Sequence, residues 1–265
     1  MVFAAAGCAS CHAGKGAEDK TVLSGGTAFA SAFGTFYAPN ISSSAAGIGG
    51  WDLPSFARAV RQGVSPDGAH YYPAFPYTAY THMTDADVAD LYAYMQTLPG
   101  DDTASKAHDV GYPINLRLWK QLYHKEDYVM TADLNPQLMR GRYLVEALAH
   151  CGECHSPRGA LGGLQRDAWL TGAPNPSGKG KIPGITPAQL DWSEADLVEY
   201  FTSGFTPDYD SVGGSMVAVT ENLATLPTED RAAIAAYLKA LPCSPAPTAK
   251  GRAPPSKPVP ANRLS

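Results

Sequence analysis

The sequence predicts a mainly α chain of two tandem domains, each with few helices, long loops and a small core. Three observations lead there. The chain repeats itself at an offset of 141–143 residues. The apolar residues closing each copy recur at helical spacing. Long Gly- and Pro-bearing stretches, Thr21–Gly50 and Pro157–Pro187, separate the helices.

The repeat is explicit in the residues. Cys8 and Cys151 differ by 143, as do Tyr94-Met95-Gln96-Thr97-Leu98-Pro99 and Tyr237-Leu238-Lys239-Ala240-Leu241-Pro242. Trp51 matches Trp192, and Gly63-Val64-Ser65-Pro66-Asp67 matches Gly204-Phe205-Thr206-Pro207-Asp208, both at 141. This divides the 265 residues into a first domain at 1–99, a linker at 100–134, a second domain at 135–242 and a tail at 243–265.

Each domain reads as helical. Val88, Leu91, Tyr92 and Met95 make one apolar face, with Thr84 as N-cap and Asp85 and Asp87 in the first turn. The copy has Thr228 as cap and Ile234, Tyr237, Leu238 and Leu241 on the face. A middle helix ends at Gly63 and at Gly204, residues suited to a left-handed cap, and its second copy starts at Ser193. Asn135-Pro136 opens a helix running through Gly141, Tyr143 and Leu144 toward Cys151. Only seven residues precede Cys8, so most of the matching first helix is missing. The start also lacks a basic region and a full apolar stretch, and the expectation is a trimmed or late-started form of an exported precursor.

The cysteines carry the chemistry. Cys8-Ala-Ser-Cys11-His12 and Cys151-Gly-Glu-Cys154-His155 are two C-x-x-C-H motifs, the pattern of c-type haem attachment. Two thiols add to the two vinyl groups of one haem, and the adjacent histidine is placed to ligate the iron. A redox dithiol would need a βαβ setting that neither site has, and zinc would need the pairs far closer in sequence. Two covalently bound haem c groups are therefore expected.

A low-spin electron-transfer haem takes a second axial ligand, usually Met or His. Met216, after Gly213-Gly214-Ser215, lies 61 residues beyond His155 and is expected to ligate the second iron. The corresponding stretch of the first domain, Tyr72-Pro73-Ala74-Phe75-Pro76-Tyr77, has no methionine. Three readings stand there: Met83 ligates, His82 or His70 ligates, or the site is five-coordinate. Met83 is favoured because its thioether lies in the loop before the last helix. The expected metal ligands are thus His12, Met83, His155 and Met216.

Composition narrows the rest. A 45% hydrophobic and 17% charged chain is globular, and no apolar run approaches the roughly 20 residues that cross a bilayer. The net charge of −5 gives no reason to expect nucleic acid. Four of the 20 bases (Lys250, Arg252, Lys257 and Arg263) lie in the tail, which leaves the body 16 bases against 25 acids. Such a body is a solvated acidic surface, or one that steers toward a basic partner. Seven prolines between Pro242 and Pro260 describe an extended tail with no core. Cys243, the odd thiol at its root, reads as an incidental free thiol, with a cross-link to a partner as the alternative.

The chain resembles the diheme cytochrome c proteins that act as electron acceptors or subunits of bacterial periplasmic alcohol, aldehyde and sugar dehydrogenases. The resemblance rests on Ala38-Pro39-Asn40-Ile41, Gly47-Ile48-Gly49-Gly50-Trp51, Gly63-Val64-Ser65-Pro66-Asp67-Gly68, Tyr71-Tyr72-Pro73-Ala74-Phe75-Pro76-Tyr77 and Cys151-Gly152-Glu153-Cys154-His155-Ser156-Pro157-Arg158. It implies two cytochrome c-like domains wrapping a haem each, with His/Met ligation and pockets lined by Trp51, Trp192, Pro39 and Pro183. Many relatives have Met where this chain has Phe75 and Leu where it has Met83, which suggests a moved ligand. The implied role is a periplasmic relay from a dehydrogenase to a cytochrome or terminal oxidase. The alternative is a diheme peroxidase or thiosulfate-oxidising enzyme with an open first haem; a third reading is a haem-binding subunit that only docks a partner. No paired carboxylates or nucleophile–base set suggests other catalysis.

Overall fold

The computed structural model describes residues 1–242 apart from 15, 16, 113, 177 and 179. The Pro-rich tail and Cys243 lie outside the described residues. Along the first half run α1 (Val2–Ala5), α2 (Cys8–His12), β1 (Ala28–Ser31), β2 (Gly34–Tyr37), α3 (Leu53–Gln62), α4 (Tyr77–Tyr80) and α5 (Asp85–Gln96). Next come β3 (Asp109–Val110) and α6 (Leu116–Tyr123). The second half has α7 (Pro136–Arg142), a π-helical segment (Tyr143–Leu148), α8 (Gly152–His155), β4 (Ala173–Pro174), β5 (Lys181–Ile182), α9 (Glu194–Ser203), α10 (Met216–Ala224) and α11 (Thr228–Ala240).

Local chemistry sets the helix ends. Thr84 Oγ1 accepts from the Asp87 amide, Asn135 from Leu138, and Ser193 forms a reciprocal capping box with Asp196. Gly63 and Gly204 close α3 and α9 with φ of 60° and 76°, which glycine adopts without a Cβ clash. Thr228 is not the cap that the sequence suggests. Pro227 precedes the first turn in an extended conformation, and the Thr228 hydroxyl instead accepts from Arg231.

The long loops contain short strands. β1 and β2 form a hairpin, Ala28 opposite Tyr37 through Ser31 opposite Gly34, and β3 adds an edge through Gly34–Val110 and Thr35–Asp109. The segment between the halves is therefore not a bare tether. Its helix α6 joins both: Lys120 Nζ donates to the Gln62 and Gly63 carbonyls at 2.5 and 2.7 Å, and Trp119 Nε1 donates to Leu161 at 2.7 Å.

The halves share one apolar cluster, from Val2, Leu23, Phe56 and Leu91 to Leu144, Leu148, Leu170 and Ile234. α4 packs on the π-helical segment of the second half, while α10 packs on α1 of the first, so the exchange is reciprocal. Among the described residues no helix is long and apolar enough to cross a membrane.

Candidate haem-attachment sites

Both C-x-x-C-H motifs fold into a short helix, and the residue ahead of each has a positive φ: Gly7 at 62° and His150 at 40°. This tight entry lets the chain turn directly into the attachment segment. Cys8, Cys11, Cys151 and Cys154 are all free of disulfides. Burial pushes the thiols of Cys8 and Cys151 up to about 12, with smaller rises for Cys11 and Cys154. Cys154 of the second motif also raises the Cys11 thiol of the first, so the two pairs approach each other across the halves. Among the described residues no cluster of three or more His, Cys, Asp or Glu could hold a metal ion by itself.

The two histidines have matching environments. His12 Nδ1 is 2.9 Å from the Pro39 carbonyl oxygen, and His155 Nδ1 is 2.8 Å from that of Pro183. A carbonyl only accepts, so each bond assigns the proton to Nδ1 and leaves Nε2 with a free lone pair. An acceptor bonded to the far nitrogen in this way orients a ligating ring and raises its basicity. Burial lowers the pKa of both rings, which keeps them neutral. The donor set therefore fits haem c: two thiols and one oriented imidazole at each site.

The remaining expected residues fall into place unevenly. Trp51 and Trp192 are half-buried against the apolar cluster, with Tyr92 Oη donating to the Trp51 carbonyl at 2.7 Å and Trp192 edge-on to Tyr200. Pro39 and Pro183 contribute their carbonyls to the histidines. Met216 is the first residue of α10 and half-buried. Met83 is buried in the cluster that also takes Phe75, Tyr80 and Cys8. Its neighbour His82 turns elsewhere and stacks on Tyr128, ring centroids 4.2 Å apart. There it lines a cavity of about 50 Å³ with Trp119, Asp127 and Arg166. His70 bridges Val64 at the rim of a surface hollow lined by Asn115 and Arg117.

The attachment segments also meet across the halves, which the sequence did not foretell. Thr78 Oγ1 donates to Glu153, the third residue of the second motif, at 3.2 Å. Asn222 Nδ2 donates to Ser10, the third residue of the first, at 3.2 Å. The only signal in the sequence was the repeat itself, which makes Ser10 and Glu153 equivalent.

The cytochrome c family model matches residues 1–99 and again 138–242. A diheme cytochrome c-type protein of Cereibacter sphaeroides is 53% identical over 248 residues, covering 91% of this chain and 84% of that protein. The fructose dehydrogenase cytochrome subunit of Gluconobacter japonicus is 39% identical, covering 90% of this chain and 51% of its own length. The gluconate 2-dehydrogenase cytochrome c subunit of Pantoea cypripedii is 34% identical, covering 88% and 56%. The chain thus spans about half the length of these two dehydrogenase subunits. A diheme peroxidase or thiosulfate-oxidising enzyme has no support in these comparisons. The chain belongs to the cytochrome c family, as a diheme electron-transfer member with two covalently bound haem c groups.

Proposed function

We propose that this chain relays single electrons in the periplasm, from a dehydrogenase to a downstream cytochrome or terminal oxidase. Cys8 and Cys11 hold the first haem and Cys151 and Cys154 the second, with His12 and Met83, and His155 and Met216, as axial ligands. Trp51, Trp192, Pro39 and Pro183 line the pockets. The cytochrome domains are 1–99 and 135–242, with 100–134 between them and 243–265 as a tail. Bound haem c supplies a reversible one-electron couple; the residues around it choose the ligands and the polarity that tune its potential.

The observation that carries this reading is the divergence of two adjacent side chains. Met83 is buried in the apolar cluster against which Cys8 and Phe75 also pack, whereas His82 stacks on Tyr128. With a thioether available, the first iron has no need of an open position, and a carrier follows where an enzyme would need exchange. The dehydrogenase donor is supported by the fructose and gluconate relatives named above.

The test is spectroscopic. Met83→Ala should remove about half of the weak near-infrared sulfur-to-iron band of the oxidised protein, and Met216→Ala the other half. The first variant should also lower one potential, since a thioether favours reduced iron. An unchanged band in Met83→Ala, with His82→Ala perturbing the spectrum, would assign a bis-histidine site and sink the ligand set.

A further inference from the structure

Tyr143 opens the π-helical segment of the second half, yet its hydroxyl lies at the start of α5 in the first. It accepts from the Thr84 amide at 3.2 Å and donates to the Asp87 carboxylate. Thr84 is the N-cap of α5, and its own hydroxyl accepts from the Asp87 amide at 3.1 Å. In a capping box the carboxylate at the third helical position reaches the N-cap amide itself, as Asp196 reaches Ser193 at 2.9 Å in α9. At α5 the Tyr143 hydroxyl stands between those two groups. The box is completed from the other half of the chain.

The same peptide unit is held at its other end. Arg61 Nη2 donates to the Met83 carbonyl at 2.5 Å, and its Nη1 pairs with Asp85 at 2.6 Å. The Met83 carbonyl and the Thr84 amide are the two polar ends of one planar group. Arg61 therefore fixes the oxygen and Tyr143 the nitrogen, while the Met83 amide donates to the Tyr80 carbonyl at 3.0 Å, so the peptide units on both sides of the Met83 Cα are held and with them the direction of its Cβ. A thioether is a weak, neutral donor, so its competitive strength rests on pre-organisation of the loop that carries it. A π-helical turn at Tyr143 is itself the kind of irregularity that collects at functional positions.

We propose that Tyr143 is a positioning residue for Met83, so that the second half of the chain governs sulfur ligation in the first. This rests on the reading of Met83 as an axial ligand. Tyr143→Phe keeps the ring and removes only the hydroxyl; Thr84 is exposed, so water can take its amide and the fold survives. Asp87→Ala removes the acceptor that aims the hydroxyl and is the second variant.

The experiment titrates the oxidised diheme protein with imidazole and follows the near-infrared band. In Tyr143→Phe and Asp87→Ala, half of the band should be lost at several-fold lower imidazole than in the parent protein, with the other half unmoved. The potential of one haem alone should shift. Titrations matching the parent in both variants overturn the proposal. Met83→Ala separates the layers: a band left whole there defeats the ligand reading, whereas a halved band with parent-like Tyr143→Phe defeats only the positioning role. A general loosening of the fold would instead move both halves of the band together, and that result also overturns it.

Discussion

His150 reaches from the second half to the first, its Nε2 lying 3.3 Å from the carbonyl oxygen of Ala6. The same oxygen accepts the Tyr80 hydroxyl at 2.9 Å, and the His150 ring sits edge-on to Tyr80. The contact holds a non-glycine residue at φ 40°, where the equivalent position is Gly7. His150→Ala keeps that backbone and loses the contacts, so it should destabilise by about 1–2 kcal/mol. His150→Gly loses the same contacts but relieves strain of roughly 1 kcal/mol or more, and should lie closer to the parent. Urea unfolding of the diheme protein checks the order. A glycine variant weaker than the alanine one would contradict the strain account.

Gly141 of α7 lies tight against α11. A Cβ there would overlap the Ala233 carbonyl and the Tyr237 Cβ, whereas a Cβ at Gly50 meets nothing within 4 Å. Gly141→Ala should cost about 3 kcal/mol, the upper end for overpacking, and Gly50→Ala close to nothing. Thermal unfolding of the pair gives the comparison directly.

Attachment should be separable by motif. Protein matured in an export-competent host should exceed the polypeptide mass by two haems under denaturing conditions. The double change Cys8→Ala and Cys11→Ala should leave one. A parent that loses a haem on acid extraction would contradict covalent attachment at that site.

Glu146 gives a pH dependence away from the attachment sites. It is buried in the π-helical segment, where its carboxylate accepts from the Tyr237 hydroxyl and the Val129 and Met130 amides. Burial raises its pKa above the ordinary glutamate value despite those three donors. The folded state then holds its proton to higher pH than the unfolded one. Stability is fullest below the ordinary value near 4.5 and falls as pH rises through the raised one. Glu146→Gln should flatten that fall and, by setting an amide N–H against a donor, cost about 1–3 kcal/mol at low pH. Melting curves across pH 4 to about 7 distinguish the two slopes.

The repeat made the helices legible, because caps and glycine stops are local in sequence. Thr84, Ser193, Gly63 and Gly204 act where the pattern put them. The strands escaped notice because β1, β2 and β3 are two to four residues long and depend on partners up to Val110. The π turn escaped too, since nothing in Tyr143–Leu148 distinguishes it from an α-helix by periodicity. Least legible were the bonds across the halves. The Pro39 and Pro183 carbonyls are main-chain groups, so residue type says nothing of their aim, and Thr78, Tyr143 and His150 find partners more than 50 residues away.

The helix α6 has a kinetic consequence. Its Lys120 grips the closing turn of α3 while the adjacent Trp119 holds Leu161 of the second half. One stiff element thus bolts both halves together, beside a shared apolar cluster and the crossed contacts of Thr78 and Asn222. Electron exchange within the chain then has no domain swing to wait for, and glycerol or sucrose should leave its rate unchanged while slowing encounters with any partner. The internal step is solid-state in character; only the external ones belong to diffusion.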